Sequence, residues 1–315
     1  MLRYLLIGLS LLVPLASTQA ACPAAGIHLQ VLGSGGPQLA SGRASSSYLI
    51  WVDGKARALV DAGSGSALRF SQSGADFADL YFIALSRLQA DHTGALPALI
   101  RAAHNGDRKT PLPIFGPDGN KFMPSTVAFI RTLFDQKRGA WRELGQVLSP
   151  LGKQGYRLRP HDIRTSLKQG KPALKNVKKT NPIYVGPNMR LSAAPIVLGN
   201  TPALAWRLKV NGKTIVFTGE ANHSSDKLPA LAKGADLLVA HLTANKKQHT
   251  SQSKSYLRSA EVVGRIAHQA GVHWLLISRR TSTTLGHEQD ILGMIKKSYN
   301  GEIRFADDLL CLSLQ

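Results

Sequence analysis

Short runs rich in apolar residues recur along the chain, and two pairs of them face each other across a tight turn. Ser47 to Val52 leads into Asp53-Gly54 and returns as Ala56 to Val60. Ala203 to Val210 leads into Asn211-Gly212 and returns as Thr214 to Phe217. Asp-Gly and Asn-Gly supply the two positive-φ residues of a two-residue turn, so both pairs predict β-hairpins. Each second strand runs out at an acidic residue, in Asp61-Ala62-Gly63 and in Thr218-Gly219-Glu220. A predicted helix follows each, from about Gly65 and from Ser224, and then a strand, Asp79 to Leu85 and Asp236 to His241. Further helices are predicted at Thr93 to Ala103 and at Ser259 to Ala270, with a buried strand at His273 to Ile277. A chain that repeats hairpin, helix and strand in its two halves implies two related α/β layers packed together, with strand-end loops facing a shared groove. No stretch is rich enough in Pro, Gly or Ser to split this pattern, so residues 21–315 are expected to form one domain.

Two segments depart from the pattern. At the N-terminus Arg3 precedes the apolar run Tyr4 to Leu15, shorter than the ~20 residues of a membrane span, and small residues follow through Ala20. This reads as an export signal over residues 1–20, with a retained anchor as the alternative. The mature protein is then expected outside the cytoplasm, in the periplasm. Export places the two cysteines, Cys22 and Cys311, in an oxidising compartment where they can pair and tie the chain ends together; two free thiols are the alternative. The second segment, residues 153–190, carries ten Lys/Arg and one acid, Asp162, for a net +9, with little apolar periodicity. It is expected to be an exposed basic insertion between the halves, either a solvated loop or a polyanion-binding surface.

Composition adds bounds. With 315 residues and 43% apolar side chains the chain can bury a large core, which excludes a stapled miniprotein, a coiled coil and a disordered tail. Lys+Arg 39 against Asp+Glu 19 leaves +20, a statement about anionic partners rather than about fold.

Six motifs, taken in order, carry a family resemblance: Val31-Leu32-Gly33-Ser34-Gly35-Gly36-Pro37, Gly42-Arg43-Ala44-Ser45-Ser46-Ser47-Tyr48, Leu59-Val60-Asp61-Ala62-Gly63, Asp91-His92-Thr93-Gly94, Phe115-Gly116-Pro117-Asp118-Gly119 and Phe217-Thr218-Gly219-Glu220. The chain resembles the metallo-β-lactamase superfamily, in particular the branch of ribonuclease Z and related sulfatases and phosphodiesterases. The resemblance implies an α/β fold, the αββα four-layer sandwich. It also implies a metal-dependent hydrolase whose His-x-His-x-Asp-His loop helps to hold two zinc ions. Here that loop reads Arg87-Leu88-Gln89-Ala90-Asp91-His92. By the same mapping a later histidine falls on Leu198, the bridging acid on Glu220 and the last histidine on Arg279. Arg87, Gln89, Leu198 and Arg279 thus replace ligands, and a guanidinium, always protonated, cannot donate to a metal. Asp91, His92 and Glu220 remain as a vestigial set.

Arginine charge is therefore expected to stand in for metal charge, with Arg87 and Arg279 set to pair with Asp91 and Glu220. His249, in His249-Thr250-Ser251, matches the family motif whose histidine assists phosphate cleavage, and the alternative is a histidine decorating a basic loop beside Lys246 and Lys247. His241, at a strand end, and His223, just after Glu220, are further recruits for a shifted site. Gly33-Ser34-Gly35-Gly36 lacks a following Lys-Ser/Thr and reads as a structural turn.

Three functions follow from these readings. The first is a non-hydrolytic relative that binds a small anion in the groove, with no cofactor. The second is an exported hydrolase of phosphate, phosphonate or sulfate esters that uses at most one zinc or manganese ion. The third is a polyanion binder acting through the basic insertion. No specific nucleic-acid partner is expected, because tRNA processing fits poorly with export.

Overall fold

The computed structural model describes residues 22–39, 42–104, 106–149, 156–165, 182–220, 228–242 and 252–314. The export segment, His223 and His249 lie outside these residues, as do half of the basic insertion and the side chain of Glu220.

The first half runs β1 (Ile27–Gly33), β2 (Ser47–Val52), β3 (Lys55–Val60), α1 (Ser66–Gln72), β4 (Phe82–Ala84), α2 (Ala90–Thr93), α3 (Leu96–Ala103), β5 (Leu112–Pro117), α4 (Thr126–Phe134) and β6 (Leu158–Ile163). The second runs β7 (Tyr184–Val185), β8 (Met189–Leu198), β9 (Thr201–Val210), β10 (Lys213–Glu220), α5 (Leu228–Ala232), β11 (Leu237–His241), α6 (Gln252–Ala270), β12 (Trp274–Ser278), α7 (Glu288–Lys296), β13 (Glu302–Phe305) and β14 (Cys311–Ser313). They build two seven-stranded sheets, ordered β14-β1-β2-β3-β4-β5-β6 and β13-β12-β11-β10-β9-β8-β7. In each, a hairpin hands over to parallel strands: β2–β3 is antiparallel and β3–β4–β5–β6 parallel, while β9–β10 is antiparallel and β10–β11–β12–β13 parallel. Both turns are made as their sequences require, with positive φ at Asp53 and Gly54 (49° and 73°) and at Asn211 and Gly212 (44° and 88°).

Alternation sorts the strand residues between layers. Tyr48, Ile50, Val60, Phe82, Trp206, Phe217, Val239 and Leu276 fill the space between the sheets. Leu49, Leu59, Ile83 and Ile114 turn outward to Leu96, Ile100, Ile130 and Phe134. Val216, Leu238 and Leu275 do the same against Val263, Ile266 and Ile291. The result is a four-layer αββα sandwich. Cys22 and Cys311 are joined by a disulfide, with a Cα–Cα separation of 5.6 Å, which fastens the start of the described chain to edge strand β14. No helix among the described residues is long and apolar enough to cross a membrane.

Three local outcomes differ from the sequence reading. The helix predicted from Thr93 to Ala103 is two pieces, because Pro97 sits in the first turn of α3, where its missing N–H costs nothing, and α2 has already closed at Gly94. The strand predicted from Asp79 begins only at Phe82, since Asp76 accepts the Ala78 N–H (2.8 Å) and caps a 3₁₀ turn over Phe77–Asp79. The described parts of residues 153–190 are not all loop: β6 pairs with β5, and β7 with β8. Both are sheet-edge strands with few buried residues, which is why their apolar pattern is faint.

Candidate functional site

The parallel strands of both sheets end on the same side of the sandwich, where open α/β folds place their sites. Asp61 follows β3, Arg87 follows β4, His241 ends β11, and Ser278-Arg279 closes β12. Register aligns Glu220 with His241 and His241 with Ser278, so three strand ends of the second sheet lie side by side. Asp61 (φ 59°) and Arg279 (φ 56°) both adopt left-handed backbone, which costs a non-glycine residue about 1 kcal/mol or more and turns each side chain off its strand.

Charge converges on one oxygen. Arg87 Nη2 donates to Asp91 Oδ2 at 2.9 Å, Arg279 Nη2 donates to the same oxygen at 3.3 Å, and His92 Nε2 lies 3.6 Å from it. Arg87 is 1% exposed and Asp91 7%. Burial alone would raise the Asp91 carboxyl, but His92, Arg87 and Arg279 outweigh it and hold the group below the usual carboxylate range. Asp61 anchors the other side: Oδ1 accepts the Ser86 N–H (2.7 Å), and Oδ2 stands 2.8 Å from His92 Nδ1.

Beside this cluster runs a buried polar chain. The Tyr48 hydroxyl donates to Ser278 Oγ (2.7 Å) and meets His241 Nε2 at 2.8 Å. With the phenol proton on Ser278, the imidazole donates through Nε2–H and leaves Nδ1 as a bare acceptor with no hydrogen-bond partner among the described residues. Burial, then the charges of His92, Arg279 and Arg87, pushes His241 well below the ordinary histidine range, so it stays neutral. Burial likewise pushes the Tyr48 phenol up.

An open cavity of about 340 Å³ lies over the cluster, lined by Asp91, Arg279, Gln89, Ser45 and Ser64 with Pro37 and Leu39 at its lip. The structure thus brings Arg87, Asp91, His92 and Arg279 together and puts Gln89 on the cavity wall. Leu198 packs against the apolar layer under the second sheet instead. The glycine-rich turn is structural: a Cβ on Gly33 would meet the Ser45 carbonyl oxygen at 1.7 Å, and Asp308 holds Ser34 through its N–H (3.0 Å) and hydroxyl (2.8 Å). Sequence reasoning assigned no role to Asp61, Tyr48 or Ser278. Only Asp61, an acid at a strand end mirroring Glu220, carried a readable signal.

The fold has known counterparts. The chain is 24% identical to ribonuclease Z of Methanosarcina acetivorans, over 91% of this chain and 98% of that one. Its fold matches the short form of human tRNase Z with a TM-score of 0.65 at 18% identity, covering 91% and 99% of the two chains. It matches the metallo-β-lactamase fold protein YhfI of Bacillus subtilis with a TM-score of 0.61 at 22% identity, covering 91% and 98%. The chain thus has the metallo-β-lactamase fold, and over nearly its whole length its sequence is similar to ribonuclease Z. No family model matches it. In this chain the loop from Arg87 to His92 joins β4 to α2, and its first side chain is an arginine bonded to Asp91. Among the described residues, no three His, Cys, Asp or Glu side chains come together as a metal site.

Proposed function

We propose that this chain is an exported, non-hydrolytic metallo-β-lactamase-fold protein that binds a small anion in the groove where its relatives hold their metals. The observation that carries the reading is the double engagement of Asp91 Oδ2 by Arg87 and Arg279. A carboxylate oxygen that accepts two guanidinium bonds has its lone pairs committed, and neither guanidinium can ligate. The donor chemistry of the described residues does not suit a dizinc centre, which needs several neutral imidazoles and free carboxylates at about 2.0–2.3 Å.

Support for an anionic ligand comes from the cavity wall. Arg279 and the Gln89 amide offer donors around a space of about 340 Å³, within the size range of small-molecule pockets, while the Ser45 and Ser64 hydroxyls already donate to the Gly36 and Ala90 carbonyls. The net charge of +20 draws anions toward such a site. The mature protein titrated calorimetrically with inorganic phosphate and with sulfate is expected to bind one of them saturably, and to do so less well as Arg279→Gln. A phosphodiester assay with and without added zinc is expected to show no turnover. Zinc-dependent turnover abolished by Asp91→Ala would favour the hydrolase instead. Phosphate binding lost only on deletion of residues 166–181 would move the activity to the basic insertion.

A further inference from the structure

A second cavity, of about 390 Å³, opens on the helical layer over the first sheet, between α1 and α3. It shares no lining residue with the groove. Phe70, Phe77 and Leu99 are buried and form its floor, while the small side chains of Ala67, Ala98 and Ala102 leave its rim open.

Arg108 also lines this cavity, and its surroundings are unusual for a cation. It is 3% exposed. Its Nη1 donates to the carbonyl oxygens of Phe77 (3.3 Å), Ala78 (3.0 Å) and Leu80 (2.6 Å), and Nη2 donates to that of Pro111 (3.0 Å). All four acceptors are neutral. Nε is shut off from solvent and donates to nothing among the described residues. Of five guanidinium N–H bonds, Nε–H and one on Nη2 therefore stand without an acceptor among the described residues. The Tyr156 ring, 5.9 Å away, offers a weak face contact. Asp76 and Asp107 also line the cavity but are exposed, and among the described residues no carboxylate makes an ion pair with Arg108. A guanidinium cannot shed its proton to escape burial, so such a site favours an incoming anion that carries its own apolar body.

We propose that this cavity binds an amphiphilic carboxylate of roughly ten carbons, with its chain over the Phe70, Phe77 and Leu99 floor and its carboxylate against Arg108. The site stands apart from the groove, and neither assignment depends on the other.

The test uses the intact protein with decanoate, decan-1-ol and sulfate as probes, read by calorimetry and thermal melting. Decanoate is expected to bind one saturable site and raise the melting temperature, with decan-1-ol at least about tenfold weaker and sulfate not competing. Ala98→Trp and Ala102→Leu fill the cavity from exposed helical positions. They are expected to melt like the parent and to weaken decanoate by about tenfold or more. Arg108 is left in place, because its carbonyl bonds also hold the turn over Phe77–Asp79. Absence of saturable decanoate binding overturns the proposal, as does decan-1-ol binding as tightly as decanoate, or unchanged binding in the filled variants. Should a filled variant fail to fold, the comparison of decanoate with decan-1-ol on the parent still decides.

Discussion

Replacing Arg87 by alanine strands a buried carboxylate. The pair it breaks is short (2.9 Å) and nearly solvent-free on both sides, with side chains 2% and 6% exposed. Removing one partner of a buried pair costs about 3–5 kcal/mol, because the remaining charge keeps its desolvation penalty without its compensation. Arg279 still reaches Asp91 Oδ2 at 3.3 Å, so the lower end, about 3 kcal/mol, is the better expectation here. For a chain of this length each kcal/mol lowers the melting temperature by roughly 2–4 °C, which gives a loss of roughly 6–12 °C. Arg279→Ala, at the longer and more exposed contact, is expected to cost less, about 1.5–3 kcal/mol. Asp91→Asn made together with Arg87→Ala should recover part of the loss, with a coupling of about 1–3 kcal/mol, since the stranded charge is gone. Circular-dichroism melts of the parent, Arg87→Ala, Arg279→Ala, Asp91→Asn and the Arg87→Ala/Asp91→Asn double variant measure all of this, and added zinc should leave the order unchanged. If Arg87→Ala melts with the parent, or the double variant loses the plain sum of the singles, the ion cluster does not hold this groove together.

Further outcomes follow from other parts of the molecule. His241 is held neutral in the fold while the unfolded chain takes up a proton near pH 6.5, so its contribution is full above about pH 6.5 and is lost as pH falls below that value. Urea titrations of His241→Gln should show a flatter fall in stability from pH 6.5 to 5 than the parent, by at most about 1.4 kcal/mol per pH unit. Replacing Arg87, Gln89 and Arg279 together by histidine should create zinc affinity beside Asp91 and His92, visible as a melting temperature that rises with zinc concentration by mass action. Non-reducing mass spectrometry should find one internal disulfide in the mature chain. Reduction should lower stability by up to about 5 kcal/mol, because the bridge closes a loop of 289 residues' separation. Two freely alkylated thiols would remove that expectation.

What could be read in advance was whatever a local rule enforces. Asp53-Gly54 and Asn211-Gly212 announce their turns because few other dipeptides tolerate two positive φ values, and the repeated hairpin then foretells two matching sheets. The short edge strands β6 and β7 were hidden in a basic stretch because an edge strand needs few apolar residues to hold its register. At the site, Arg87, Asp91 and Arg279 could be placed because loop and strand-end positions are set by chain order. The convergence of both arginines on a single oxygen of Asp91 could not be read, since it depends on how the two sheets face each other. Tyr48 shows the same limit: an inward-facing aromatic on a strand looks like core, and only the packing reveals that its hydroxyl bridges Ser278 and His241. Arg108 was equally silent, because its acceptors are main-chain carbonyls with no sequence signature.

The central claim, that arginine charge has taken the place of metal charge, is tested most directly by the metal content of the purified mature protein. Elemental analysis after expression in zinc- and manganese-supplemented medium and extensive dialysis is expected to find far less than one equivalent of either ion. The melting temperature should be the same before and after treatment with a strong chelator. Near-stoichiometric, chelator-resistant zinc or manganese, with stability lost on its removal, would contradict the account.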